Sequence, residues 1–253
     1  MPNSAVPAFS LKDLPVCPVA GLRTKLFADN ADPATLREYA ANPLIRGFTT
    51  NPTLMRKAGV AEYQAFAKEI LAAVPDRPVS FEVVADDFLE MERQAYRIAG
   101  WGANVYVKIP ITNTRGESSA PLLRQLSRKG LQLNVTGVLT VDQVCLACET
   151  LAAGPSSYIS LFAGRIADTG RDPVPLVAAA VDLLRPHPQL ELIWASPREL
   201  LNIYQADATG CHIITVTTDI LSKLHLIGKD LEAYSLETVK MFFDDACSSD
   251  FAL

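Results

Sequence analysis

The chain is poor in the residues that most often carry metal, triad and nucleic-acid chemistry. Only three histidines occur in 253 residues: His187, His212 and His225. None stands at ligand spacing from another His or a Cys, so neither a metal site nor a His-based triad is expected. The five cysteines (Cys17, Cys145, Cys148, Cys211 and Cys247) are an odd count without the spacing of a disulfide framework. Cys145 and Cys148 form C-x-x-C, but Val141 to Leu151 reads as the middle of a helix, where both sit as small apolar residues. A redox pair needs a helix N-terminus to lower a thiol pKa. A reducing, cytoplasmic home is therefore expected.

Positive charge is also sparse. Lys and Arg number 23 against 28 Asp and Glu, the net charge is −5, and no three basic residues are consecutive. That excludes the concentrated basic surface that nucleic acid requires. An anionic ligand would have to be held by a few well-placed cations in a pocket. The longest apolar run, Val174 to Val181, is broken by Pro175 and is too short to cross a bilayer. Met1 to Ser10 lacks the basic start and apolar stretch of a secretory signal. Neither a G-x-G-x-x-G turn nor a phosphate loop ending in Gly-Lys-Ser/Thr is present. No cofactor is expected.

What is present is an apolar fraction of 49%, spread over a length usual for one α/β barrel. A core of that size needs no disulfide or metal staple. Strand-like runs are predicted at Thr24–Asp29, Gly47–Asn51, Val79–Val83, Asn104–Ile109, Gln132–Thr136, Tyr158–Phe162, Leu190–Ala195 and Cys211–Val216. Amphipathic helices are predicted between and after them, at Pro33–Ala41, Val60–Val74, Asp87–Trp101, Ser119–Lys129, Val141–Ala153, Pro173–Leu184, Pro197–Ala206 and Thr218–Leu226. Asp32-Pro33, Asp172-Pro173 and Ser196-Pro197 read as helix starts, and Gly130 as a helix stop. Eight alternating units require right-handed parallel crossovers, and eight close into a (β/α)8 TIM barrel. An open doubly wound sheet is the alternative, weakened by the missing Gly-rich turn. One domain is expected over residues 1–253, with an N-terminal arm over 1–22 and an extra helix over Leu236–Ala246. That helix bears an apolar stripe of Leu236, Val239, Met241, Phe242 and Phe243.

Parallel strands buried on both faces should read as nearly continuous apolar runs, so polar exceptions are informative. Lys108 interrupts Asn104-Val-Tyr-Val-Lys-Ile109, with Val105, Val107 and Ile109 on the opposite parity, and so faces the barrel interior. By the same parity, Asp29, Glu82, Asn134, Thr136, Ser160 and Ser196 point inward, and Asn51 ends its strand likewise. All lie at or just past the C-terminal end of a strand, the end that carries catalytic groups in this architecture. Singly, each has a plain structural reading: a snorkelling lysine or a helix cap. Together they place one amine, two carboxylates, two amides and three hydroxyls in one mouth, which would cost several kcal/mol without a purpose. That set suits amine catalysis on a carbonyl. A lysine walled by apolar strands has its ammonium disfavoured and can attack a ketone. The resulting iminium is an electron sink, and a neighbouring carboxylate can move the proton of a β-hydroxyl.

With these residues the chain resembles the transaldolase family from about Leu26 to Ala246. The stretches that carry the resemblance are Leu26-Phe-Ala-Asp29, Gly47-Phe-Thr-Thr-Asn-Pro-Thr53, Val107-Lys-Ile-Pro-Ile-Thr112, Leu133-Asn-Val-Thr136, Ile159-Ser-Leu-Phe-Ala-Gly-Arg-Ile166, Ala195-Ser-Pro-Arg198 and Gly210-Cys-His-Ile-Ile-Thr215. The resemblance implies a metal-free class I enzyme, with Lys108 forming a Schiff base to a ketose and Asp29 as acid/base. It implies that Glu82 and Thr136 hold a catalytic water, and that Asn51, Asn134 and Ser160 hold the hydroxyls of a dihydroxyacetone unit. Arg165, Ser196 and Arg198 match phosphate-binding positions, which suits a phosphate monoester physically. Sugar phosphates are thus the expected partners, in a homo-oligomer without nucleic acid or membrane. A sister branch, the fructose-6-phosphate aldolases, tends to carry Gln at Glu82 and Tyr at Phe162, so those two residues favour transaldolase. Pro197 departs from the Phe common in the family. Release of free dihydroxyacetone, or a non-catalytic sugar-phosphate-binding barrel, are the alternatives.

Overall fold

The structure, a computed structural model, describes residues 17–249; most of the expected N-terminal arm lies outside them. Leu22–Ser222 form one compact unit. Its order is β1 (Lys25–Asp29), α1 (Pro33–Ala41), β2 (Ile45–Thr49), α2 (Pro52–Lys57), α3 (Tyr63–Ala73), β3 (Val79–Glu82), α4 (Phe88–Ala99), β4 (Val105–Pro110), α5 (Ala120–Arg128) and β5 (Leu133–Val138). There follow α6 (Val141–Leu151), β6 (Ser157–Leu161), α7 (Ala163–Ala167), α8 (Val174–Leu184), β7 (Leu190–Trp194), α9 (Leu201–Ala208), β8 (Ile213–Val216) and α10 (Thr218–Leu221). The eight strands close in sequence order into a parallel (β/α)8 barrel, as the alternation of patterns requires.

Local chemistry sets the element ends. Asp32 caps α1 by accepting from Thr35 N at 2.8 Å, with Pro33 in the first turn. Asp87 caps α4, and Thr140 with Gln143 forms a capping box on α6. Gly130, at φ +86°, follows the end of α5 where the left-handed conformation is needed. The buried stripes of the outer helices recur at three- and four-residue spacing, as in Met91, Ala95 and Ile98 of α4. Cys145 and Cys148 lie within α6, and burial pushes the Cys148 thiol up to about 11.

Three expectations need correcting. Ser196-Pro197 does not open a helix: Ser196 adopts φ +61° and α9 begins only at Leu201. The intervening turn is held by the Asn202 side chain, whose Oδ1 accepts from Arg198 N (2.7 Å) and Glu199 N (3.1 Å). Two short helices, α2 and α7, stand immediately after β2 and β6, where no element is predicted from the sequence pattern. The expected helix Thr218–Leu226 stops at Leu221 and is followed by a single 3-10 turn, Leu224–Leu226.

The barrel interior is layered. Below the mouth, Phe27, Tyr106, Tyr158, Ile193, Ala195 and Ile213 form an apolar plug, with the two tyrosine rings stacked at 4.0 Å. Gly47 is required beside it, because a Cβ there would lie 2.4 Å from the Phe27 ring. Above the plug the lining turns polar.

Among the described residues, the second compact unit comprises residues 17–21 and 223–249. Its main element is α11 (Leu231–Cys247), which starts earlier than the expected Leu236 because Asp230 caps it, accepting from Ala233 N at 2.8 Å. The expected apolar stripe on it is exposed. Among the described residues no helix is long and apolar enough to cross a membrane.

Candidate active site

The polar layer surrounds a cavity of about 750 Å³ at the C-terminal ends of the strands. Lys108, on β4, rises into its floor and is only 6% exposed. Its Nζ lies 3.1 Å from Glu82 Oε2 on the adjacent β3 and donates to the Thr50 carbonyl at 3.2 Å. The pairing follows from register, since Glu82 and Lys108 are direct cross-strand neighbours. Asp29, at the end of β1, accepts from Thr49 Oγ1 at 2.7 Å and from Asn51 Nδ2 at 3.4 Å. Burial raises the Asp29 carboxyl above the ordinary carboxylate range, against the pull of Lys108 and of these hydrogen bonds. Asn51 has a second duty: its Oδ1 caps α2 by accepting from Leu54 N at 2.9 Å, which fixes the amide towards Asp29.

On the far wall Thr136 Oγ1 is buried with no protein hydrogen-bond partner. Below it Asn134 bridges two strands, donating to Ser80 Oγ at 3.0 Å and accepting from Ser160 Oγ at 2.7 Å. At the rim, the Arg165 guanidinium stands over the Phe162 ring at 5.6 Å. Arg198 donates from Nη1 to both the carbonyl and the hydroxyl of Ser196, each at 2.8 Å. Its Nε donates to Asp168 Oδ1 at 2.8 Å and its Nη2 to the other carboxylate oxygen. The Arg198 guanidinium holds the Asp168 carboxyl below its usual range. Close approach of the two rim segments depends on Gly164, where a Cβ would fall 1.5 Å from the Ser196 carbonyl oxygen.

A family model described as Transaldolase/Fructose-6-phosphate aldolase matches residues 26–250. The chain belongs to that family. Among its relatives, proteins named "Probable transaldolase" from Dehalococcoides mccartyi and Methanococcus maripaludis (strain C7) are 33% and 35% identical over 201 residues, covering 79% of this chain and 89% of theirs. One of the same name from Pelotomaculum thermopropionicum is 33% identical over 87% of this chain and 96% of its own. Two solved structures are similar in fold alone. A truncated 3-deoxy-D-arabino-heptulosonate 7-phosphate synthase from Thermotoga maritima gives a TM-score of 0.51 at 14% identity, covering 83% of this chain and 79% of that one. A flavocytochrome b2 gives 0.54 at 14% identity, covering 78% of this chain and 57% of its own.

Within this transaldolase/fructose-6-phosphate aldolase barrel, ten of the eleven residues picked from the sequence line one cavity: Asp29, Asn51, Glu82, Lys108, Thr136, Ser160, Phe162, Arg165, Ser196 and Arg198. The eleventh, Asn134, lies one layer down and reaches the cavity through Ser160. Sequence reading missed several participants. Thr49, Ser80 and Thr215 hide as ordinary strand formers, yet Thr49 bonds Asp29 and lies 2.6 Å from Thr215. Asp168, unassigned from the sequence, takes the fork of Arg198. Inward parity would have found the first three; nothing local marks Asp168.

Proposed function

We propose that the chain is a transaldolase, moving a three-carbon dihydroxyacetone unit from a ketose phosphate to an aldose phosphate through a Schiff base on Lys108. The observation that carries this reading is a lysine 6% exposed, 3.1 Å from a carboxylate, on the floor of a cavity rimmed by two arginines. The donor enters with its phosphate at Arg165, Ser196 and Arg198 and its C2 carbonyl at Lys108. Glu82 accepts a proton from the Lys108 ammonium, and the free amine adds to C2 to give a carbinolamine. The Thr136 hydroxyl, without a protein partner, and Glu82 hold the water through which the carbinolamine hydroxyl is protonated and leaves. The iminium then accepts the electron pair of the C3–C4 bond while Asp29 takes the C4 hydroxyl proton. The aldose phosphate departs, and the three-carbon enamine stays on Lys108. An acceptor aldehyde reverses these steps, Asp29 returning its proton to the new alkoxide. A raised carboxyl pKa fits Asp29 to both directions of transfer. The Asn134–Ser160 pair and Asn51 orient the hydroxyls of the retained unit.

Glu82 and Phe162 favour transfer over release of free dihydroxyacetone. A phenylalanine ring in place of a phenol leaves less acid at hand to protonate the enamine. The test is borohydride reduction with fructose 6-phosphate, followed by peptide mass spectrometry, beside a donor assay with and without an acceptor aldehyde. A reduced three-carbon adduct on Lys108, with product only when acceptor is present, is expected. An unlabelled Lys108, or the same labelling in Lys108→Ala, defeats the assignment; turnover without acceptor turns it to the aldolase reading.

A further inference from the structure

The floor of the cavity depends on a break in the ladder between β2 and β3. These strands pair through Phe48 with Val79 and Thr49 with Ser80, and Thr50 N donates to the Ser80 carbonyl at 3.2 Å. In a parallel ladder the next rung would run from Glu82 N to the Thr50 carbonyl and from the nitrogen of residue 52 to the Glu82 carbonyl. Residue 52 is proline, the first residue of α2, and has no N–H to give. The Thr50 carbonyl accepts from Lys108 Nζ instead. Both backbone groups of Glu82 on that side would thus be left unpaired at the edge of the cavity, which is costly for a strand backbone.

A single side chain supplies both. Tyr63, from α3, receives the Glu82 N–H on its hydroxyl oxygen at 2.8 Å and donates the hydroxyl proton to the Glu82 carbonyl at 3.0 Å. Its ring is wedged edge-on between Trp101 and Phe81, at 5.2 and 6.1 Å, so the hydroxyl has little freedom. Burial pushes the Tyr63 hydroxyl above its ordinary pKa, which keeps its proton available to donate.

We propose that Tyr63 is a positioning residue for the reaction. Its hydroxyl replaces the missing rung of β2, fixes the backbone of Glu82 against Lys108, and leaves the Thr50 carbonyl free to orient the amine. The inference rests on the reading of Lys108 and Glu82 given above. It assigns a catalytic consequence to a helix residue outside the cavity lining.

The experiment is Tyr63→Phe, which keeps the ring and removes the latch. In steady-state transfer assays kcat is expected to fall roughly tenfold, equivalent to about 1.4 kcal/mol, with KM within about twofold. The borohydride-trapped adduct on Lys108 should form more slowly by a similar factor, while the far-ultraviolet circular dichroism stays unchanged. A properly folded variant with kcat within about twofold of the parent overturns the proposal. The second measurement uses the parent chain and covers the case in which the variant does not fold. The Glu82 amide should exchange its hydrogen slowly, as a bonded strand amide does, and exchange at the rate of an unstructured amide overturns the latch. If the parent itself forms no Lys108 adduct, the Schiff-base reading fails on its own, and the exchange rate still judges the Tyr63 contact.

Discussion

Replacing Asp29 by Asn should stabilise the barrel at neutral pH while abolishing turnover. The mouth encloses one ammonium, Lys108, with two carboxylates. Glu82 pairs with that ammonium at 3.1 Å, so the uncompensated negative charge falls on Asp29. Burial lifts its carboxyl above the ordinary value near 3.8, although Lys108, Thr49 and Asn51 pull the other way. A carboxyl that binds its proton more tightly folded than unfolded gives its full stabilisation below the unfolded pKa. That stabilisation is lost as pH rises through the folded pKa, at about 1.4 kcal/mol per unit of difference between the two. The parent should therefore weaken from pH 4 upwards, whereas an Asn has no charge to bury.

Asparagine keeps the shape and one acceptor for Thr49. Relief of an imperfectly compensated charge, set against the hydrogen bonds that remain, is worth about 1–3 kcal/mol. For a domain of this size each kcal/mol moves the midpoint by about 2–4 °C. Thermal unfolding at pH 8 should therefore rise by roughly 3–10 °C, and the advantage should shrink towards zero near pH 4. Calorimetric scans at pH 4, 6 and 8, beside a transfer assay, read both effects. An Asn variant less stable than its parent at pH 8, or a gap that widens in acid, would refute the charge accounting in the mouth.

Two further outcomes bear on the rim. Arg198→Ala should raise KM for a phosphorylated donor by roughly tenfold, about 1.4 kcal/mol, and leave an unphosphorylated ketose unaffected; the modest size reflects a guanidinium still 43% exposed. Comparison of the two donors checks it, and an equal loss on both would make Arg198 structural. Gly164→Ala should damage the same step more severely, since its Cβ would meet the Ser196 carbonyl oxygen at 1.5 Å and force the β6 and β7 segments apart. Phosphate protection against thermal unfolding, present in the parent and lost in the variant, is the measurement.

The fold was readable because a parallel barrel leaves a strong signature: eight apolar runs, each followed by an amphipathic one. Lys108 was readable for the same reason, as a charge in a run buried on both faces has only the interior to occupy. What escaped notice has physical causes. Threonine is both a strand former and a hydroxyl, so Thr49 and Thr215 look like filler until their facing is known. Tyr63 sits on the buried side of a helix, where an aromatic is expected to pack, and only the missing N–H of Pro52 gives its hydroxyl a purpose. Ser196-Pro197 has the composition of a helix start, but the turn is decided by Asn202, four residues after Arg198, and by the space that the distant Gly164 opens. Such tertiary decisions leave no local mark.

The arrangement of charge around the ring has a consequence for how a substrate must lie. Asp29 and Glu82 come from β1 and β3, whereas Arg165 and Arg198 follow β6 and β7. In a closed ring of eight strands, β3 faces β7, so the arginines stand across the mouth from Glu82. A dianionic phosphate beside Glu82 would meet repulsion in a low-dielectric cavity; at the far rim it meets the Arg165 guanidinium and that of Arg198, which Asp168 shares. On the proposed function, the phosphate end is thus directed away from Glu82, and the ketone end is left for the β3–β4 wall that carries Lys108. The apolar plug beneath, with Phe27, Tyr106 and Tyr158, blocks any deeper position and denies the lysine a path to solvent on that side. On that reading, the orientation of the sugar follows from the strand order itself. Moving the cationic rim to the β2–β3 side should therefore abolish productive binding even with every residue around Lys108 unchanged.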